Sequence, residues 1–403
     1  MPGLRTLALT VAVRGGARWE TEAQSGWSHL LEHLVFKGAG NMAAREIVER
    51  IEAEGGSINA ATGYERTSFE VRALDGSLPL AMQVVADLVF RPTLDPAEIE
   101  REKDVVAQEI AEAFDTPDDH VFEMVQTRAF SGQSLGRPIL GSVASLAPVT
   151  RDSIGAWRTR LYSPDRMVIA VSGAVDEAGF LELAERTFGA AVATPAKEPA
   201  SAVFTGGEAK LSRRIEQANL VFQLPAPGVR DPAYSAVRLM AEILGGGMAS
   251  RLFQSAREER GLAYAIDAYH EPYDSEGVLG IYAGAAGDRA EELARVCADE
   301  IRALADDGPT AAELARAKAV LNAGLWMSDE SPAGRAGRHA AQTLIFGAPI
   351  PSQTMADRVL AQTIEDVRTV ARDLLVPARA ASAVLGPRAA AGAGAVFRDA
   401  LFG

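Results

Sequence analysis

The chain has 403 residues, 48% of them apolar and 23% charged, and its net charge is −14. That length exceeds the size to which one hydrophobic core grows, so two domains are expected, and the composition excludes a disordered chain. The acidic balance argues against sequence-independent nucleic-acid binding; no apolar run of 18 residues exists to span a membrane, and the single cysteine, Cys297, excludes both an internal disulfide framework and a cysteine-based zinc site.

In chain order, Leu7, Leu9, Val11 and Val13 alternate as in a strand. The next segment, Gly26 to Phe36, reads as a helix and carries His29-Leu30-Leu31-Glu32-His33. Residues i, i+3 and i+4 of a helix share one face, so two imidazoles and a carboxylate come together there. Two neutral imidazoles suit a Zn²⁺ ion, and the carboxylate between them is placed to act on a water that the ion activates. Asn41 reads as the N-cap of a second helix that stops before Gly55-Gly56. Arg66 to Ala73 alternates, with Thr67, Phe69, Val71 and Ala73 on the buried side. Asp95-Pro96-Ala97-Glu98 sets an N-cap, a proline at N1 and an acidic N3 in register, opening a helix that runs past Glu109.

Residues 150–173 and 363–386 align without a gap at an offset of 213. Identical pairs include Thr150/Thr363, Leu161/Leu374, Pro164/Pro377, Arg166/Arg379 and Gly173/Gly386. Both copies read as helix, proline-marked turn and strand (Met167 to Val171, Ala380 to Val384), and Leu220 to Leu224 opens the second half as a strand, as Leu7 to Val13 opens the first. The Pro-containing stretch 194–202 reads as a linker between domains 1–193 and 203–403. The expected class is α+β: two homologous domains, each a mixed or antiparallel β-sheet covered by helices.

A catalytic zinc keeps three protein ligands, so the two histidines need one more, and only a carboxylate is left to supply it. The helix from Pro96 offers Glu98, Glu100, Glu102, Glu109 and Glu112; Glu102 and Glu109, two turns apart, share nearly one face. Spacing alone does not choose among the five.

His29-Leu-Leu-Glu32-His33, followed by Glu109 76 residues after His33, resembles the inverzincin zinc metallopeptidases of the pitrilysin, insulysin and mitochondrial processing peptidase type. Phe36-Lys37-Gly38, 55–62, 135–141 and 245–252 also look like segments of that family, and the short two-domain chain resembles its bacterial processing-peptidase-like branch. The resemblance implies Glu109 as third ligand of one Zn²⁺ per chain, and Glu102 as the carboxylate that orients a ligand imidazole. It further implies that Arg257 and Tyr264 of Arg257-Glu-Glu-Arg-Gly-Leu-Ala-Tyr264 reach the substrate and its oxyanion from the second domain, which has no HxxEH of its own. By pattern alone, Arg257 is an exposed helix residue and Tyr264 a strand core residue.

The expected function is therefore zinc-dependent endopeptidase action on short or unfolded peptides inside a closed chamber, two chains each forming half of a clamshell, with Glu32 as general base. Substrate is expected to add as an extended strand to a sheet edge near Gly55 to Thr62, touching Asn59, Ala60 and Thr62. A homodimer is expected, with no nucleic-acid or membrane partner, in the bacterial cytoplasm. The alternatives are a non-catalytic assembly subunit of a processing-peptidase-like complex, and a hydrolase that uses the same site on a non-peptide substrate. Relatives open with a strand before the segment equivalent to Leu7 to Val13, so either the first domain lacks that edge strand or the sequence starts downstream, hiding any targeting segment. His120 on a loop, His270 between strands and His339 on a helix are expected to have ordinary surface or structural roles, and Gly245-Gly246-Gly247, lacking the Lys-Ser/Thr of a P-loop, is expected to be a flexible loop.

Overall fold

The computed structural model describes residues 1–376 and 378–403, so Pro377 of the repeat lies outside the described residues. The chain forms two compact units, each assembled from separate stretches: Met1–Ala111, Pro138–Ala200 and Trp326–Ser352 make the first, and Glu112–Arg137, Ser201–Leu325 and Gln353–Gly403 the second. From the N-terminus run β1 (Thr6–Arg14), α1 (Trp27–Val35), the short pair β2 (Gly38–Ala39) and β3 (Met42–Ala43), α2 (Ala44–Ala53), β4 (Ser57–Thr62), β5 (Arg66–Leu74), α3 (Leu78–Phe90), α4 (Pro96–Asp115) and α5 (Pro117–Ala129). Then come α6 (Val143–Leu146), α7 (Arg151–Leu161), β6 (Met167–Gly173), α8 (Glu177–Phe188), β7 (Gly207–Ser212), β8 (Gln217–Pro227), α9 (Tyr234–Gly245), β9 (Ala263–Pro272) and β10 (Glu276–Ala286). The chain ends with α10 (Ala290–Asp307), α11 (Ala311–Glu330), α12 (Pro332–Phe346), α13 (Ser352–Ala361), α14 (Ile364–Leu375), β11 (Ala381–Gly386) and α15 (Ala393–Phe402).

The first sheet has the order β4-β5-β1-β6, antiparallel throughout. The second has the order β9-β10-β8-β11-β7, the same arrangement with β7 added parallel to β11. Matching strand order makes the halves structural repeats and gives the α+β class with a helix-covered sheet in each. The repeat read from sequence spans equivalent elements: α7 is capped by Thr150, whose Oγ1 accepts from Ser153 N (3.3 Å), and α14 by Thr363, whose Oγ1 accepts from Asp366 N (3.1 Å). Each helix leads into the strand beside the sheet's central one, β6 or β11.

β1 shows why two layers of helix are needed. Leu7, Leu9, Val11 and Val13 enter a core with Leu30, Leu34, Phe69 and Val85, yet Ala8, Thr10 and Ala12 on the opposite face are also buried. α12, rich in Gly and Ala, covers that second face by packing on β1 and β6; in the second unit α5 packs on β8 and β11. Each sheet is thus backed by a helix from the other half of the sequence. The boundaries read from sequence, 1–193 and 203–403, differ from the units for this reason. Both exchanged helices begin at matching breaks, where a 20-residue helix stops before Thr116-Pro117 or Ser331-Pro332. Proline starts a helix readily but lacks the N–H to continue one.

Several local expectations change. α2 begins after Ala43, whose N–H is bound by Glu46 Oε2 (2.8 Å), because Asn41 is taken up in the turn between β2 and β3. His120 lies on α5 against the Phe114 ring, and His270 lies within β9, its Nε2 2.9 Å from Pro227 O. Gly245 is the last residue of α9, so the glycine run is partly helical. His339 is on α12.

In the segment following that run, Arg251 forms a two-pronged pair with Glu313 at 2.7 and 3.0 Å. Burial alone would raise the Glu313 carboxyl, but hydrogen bonds from Arg251 and Thr310 outweigh it and hold the pKa at about 2, below the ordinary 4.5. A depressed folded pKa adds stability that is present above 4.5 and lost as pH falls from there toward 2. Glu313→Gln is therefore expected to lower Tm at pH 7, and the difference from wild type to narrow steadily in melts taken from pH 4.5 downward. A difference independent of pH would refute the assignment.

Candidate metal centre

The candidate metal ligands sit on α1 and α4. Gly26 precedes α1 with φ 86°, a left-handed conformation, and a Cβ there would stand 2.5 Å from Leu140 O. The buried Glu20 carboxylate caps the helix, its two oxygens accepting from Gly26 N (2.9 Å) and Ser28 N (2.7 Å), where a negative charge also meets the positive end of the helix dipole. Leu30, Leu31, Leu34 and Val35 are fully buried and fix the rotation of α1. That rotation leaves His29 and His33 half-buried on the remaining face, their rings 4.7 Å apart at 59°.

α4 starts as its sequence implies, with Asp95 Oδ1 accepting from Ala97 N (2.8 Å) and Glu98 N (3.3 Å). Of its five glutamates, Glu98 pairs with Arg101 and Glu100 with Lys103, and Glu112 is exposed. Glu109 Oε2 lies 3.9 Å from His29 Nε2 and 3.6 Å from His33 Nε2. One donor atom from each of the three falls within 4.8 Å of the others. Donors each about 2 Å from a shared ion stand somewhat over 3 Å apart, so only a small closure separates this triad from zinc ligation. The donor set fits as well: burial, then the neighbouring His33, holds His29 at about pKa 4, leaving it neutral with a free lone pair at neutral pH.

Glu102, seven residues before Glu109, is buried and does not join the triad; its Oε2 lies 3.0 Å from His33 Nδ1. An imidazole whose Nδ1–H is held by a carboxylate presents its Nε2 lone pair outward, toward Glu109. Glu32 sits between the histidines in sequence and its carboxyl is raised, chiefly by burial, with Thr62 and His33 opposing and Glu109 adding to the shift. Thr62 lies close enough to favour the charged form of Glu32, although among the described residues Thr62 Oγ1 and Glu32 Oε2 have no partner at full hydrogen-bond geometry. Burial pushes the Tyr162 phenol far up, with Glu32 contributing; its hydroxyl has no hydrogen-bond partner among the described residues.

The residues expected to meet substrate lie on β4, an edge strand hydrogen-bonded only to β5 among the described residues. Asn59 is exposed there, and Ala60 and Thr62 are half-buried. Arg257 belongs to the second unit, in the wide helical turn Phe253–Glu258, with its guanidinium 4.7 Å from the Phe253 ring centre. Tyr264 is on β9, the counterpart of β4 in the repeat, and is 67% exposed where its pattern reads as core. Sequence reasoning missed Glu20, Lys37 and Tyr162 around the site. Only Lys37, directly after the motif helix, carried any signal, through the Phe-Lys-Gly segment.

Fold and site define a two-domain α+β protein with a His-His-Glu group that could hold a metal ion on one domain and, among the described residues, no such group in the repeat. The chain belongs to the insulinase (M16) peptidase family. Residues 2–143 match the model described as insulinase (peptidase family M16), and residues 148–321 the model described as the M16 inactive domain. It is 34% identical over 393 residues to a protein of Mycobacterium tuberculosis named as an uncharacterized zinc protease, covering 96% of this chain and 90% of that one. A Bacillus subtilis protein of like name is 33% identical over 377 residues, covering 93% and 91%. The crystal structure of a protease from Helicobacter pylori shares the fold at TM-score 0.89 and 20% identity, covering 96% of this chain and 95% of that one. An M16 inactive domain from Pseudomonas fluorescens does so at TM-score 0.89 and 21% identity, covering 96% and 94%. No helix among the described residues is long and apolar enough to cross a membrane.

Proposed function

We propose that the chain is a zinc-dependent endopeptidase acting on short or unfolded peptides, one Zn²⁺ per chain held by His29, His33 and Glu109. The observation that carries this reading is the convergence of those three donors within 4.8 Å, next to a half-buried carboxyl whose pKa is raised. A bound zinc ion supplies Lewis acidity, acidifying a water and polarising the scissile carbonyl. Glu32 accepts the proton of the attacking water and delivers it to the leaving amine nitrogen; its raised pKa suits both halves of that transfer. Glu102 keeps His33 turned with Nε2 toward the site.

Peptide binds as an added strand along β4, where backbone hydrogen bonds hold it with little regard to side chains, and Asn59, Ala60 and Thr62 line its path. Arg257 and Tyr264 are the further residues proposed to act on the substrate, a guanidinium and a phenol suited to a tetrahedral oxyanion. Two copies enclose the chamber, which admits only extended chains. A protein relieved of catalysis has no physical need for an intact base, ligand set and orienting carboxylate, which favours the peptidase over an assembly subunit. The test is metal analysis paired with cleavage of unstructured peptides. One equivalent of zinc and cleavage abolished by chelation are expected; tightly bound zinc with hydrolysis of small esters but not peptides would overturn the substrate class, and a metal-free, inert protein the whole reading.

A further inference from the structure

Glu102 has two oxygens, and the orientation of His33 uses one of them. The other forms an ion pair with Lys37 Nζ at 2.8 Å. The Glu102 side chain is only 4% exposed, while that of Lys37 is 34% exposed, so the ammonium approaches this buried carboxylate from the more open side. The local chain is shaped to bring it there. α1 ends at Val35, Lys37 N donates to Leu34 O (3.1 Å), and Gly38 follows with φ 145°, where a Cβ would stand 2.7 Å from Thr93 Oγ1. The turn therefore occurs immediately after Lys37 and sends its side chain back across the helix end to α4.

We propose that Lys37 is a positioning residue for the metal site: by holding Oε1 of Glu102 it fixes Oε2 on His33 Nδ1, and so fixes the direction of the His33 lone pair. This inference rests on the reading of His29, His33 and Glu109 as metal ligands. A carboxylate buried without its cation is strongly disfavoured and turns toward any other donor in reach, so removing Lys37 releases the contact that aligns the imidazole. Loss of an outer partner of a metal-bound histidine weakens metal binding by about 10- to 100-fold. Among the described residues the ion pair of Lys37 is with Glu102 and not with His29, His33 or Glu109, so its effect is expected to pass through Glu102.

That last point gives the test. Zn²⁺ affinity is measured by competition with a chromogenic chelator for wild type, Lys37→Met, Glu102→Gln and the double variant, with the thermal melt of each metal-free protein alongside. Lys37→Met is expected to bind Zn²⁺ about 10-fold more weakly than wild type. The double variant is expected to bind no more weakly than Glu102→Gln alone, and Lys37→Arg to recover part of the loss. A lysine that merely supported the fold would lower affinity by the same factor whether or not Glu102 were present, and that result would overturn the proposal. So would Lys37→Met binding within twofold of wild type. Should Lys37→Met fail to fold, Lys37→Gln, which keeps a polar side chain without the charge, carries the same comparison. Wild-type protein that binds no zinc would instead defeat the ligand assignment itself, a result distinguishable from either failure of Lys37.

Discussion

Glu32→Gln is expected to keep one equivalent of zinc and to lose about 10²- to 10⁴-fold in kcat, the usual contribution of a positioned general base. The amide has nearly the volume of the carboxylate, so the packing of α1 is unchanged and His29 and His33 remain free to bind the ion. It cannot accept the water's proton, however. KM is expected to move little, because the proposed binding mode holds the peptide along β4 and not by Glu32. Metal analysis and steady-state kinetics on one preparation decide it. A variant that cleaves peptides within tenfold of wild type while holding zinc would remove Glu32 from the role of base.

Glu109→Gln has the second large effect, and it differs in kind: the metal is lost. Structural zinc sites bind with on the order of 10 kcal/mol or more shared among about four ligands, roughly 3 kcal/mol each, or about 100-fold in affinity or somewhat more. A neutral amide is a poor substitute for the carboxylate whose Oε2 faces both imidazoles at 3.9 and 3.6 Å. Zinc content after dialysis and chelator competition are expected to fall well below those of Glu102→Gln, since Glu102 meets only Nδ1 of His33. The reverse order, with Glu102→Gln losing the metal and Glu109→Gln keeping it, would exchange the roles of the two glutamates. Peptidase activity follows the metal in both variants and is expected to return in Glu109→Gln only at high added Zn²⁺.

What could be read directly from the residues was whatever one element decides alone. His29, Glu32 and His33 fall on one face because a helix has 3.6 residues per turn, whatever surrounds it. Asp95 caps α4 through its own neighbours, the alternation of Arg66 to Ala73 already states which face of β5 is buried, and the repeated Thr-capped helix and strand are local patterns as well. Contacts between elements are another matter. Five glutamates on α4 are alike in spacing, and only the way that helix lies beside α1 selects Glu109 for the triad and buries Glu102 under His33. The family resemblance had implied that choice without supplying its cause.

The exchange of α5 and α12 was hidden for the same reason. An apolar or small-residue helix face announces that it will be buried, not which sheet will bury it, so a linear division at 194–202 was the natural reading and the units cross it. Glu20 reaching the start of α1, Thr62 beside Glu32 and Lys37 on Glu102 are likewise meetings of residues from different elements. The sequence by itself determined the elements, their repetition and the chemistry of the motif helix, because backbone geometry within one helix or strand does not depend on the rest of the chain. The tertiary structure alone decided which carboxylate faces the imidazoles, which one meets His33 Nδ1 and which helix backs each sheet, because those outcomes depend on the mutual burial of surfaces far apart in sequence.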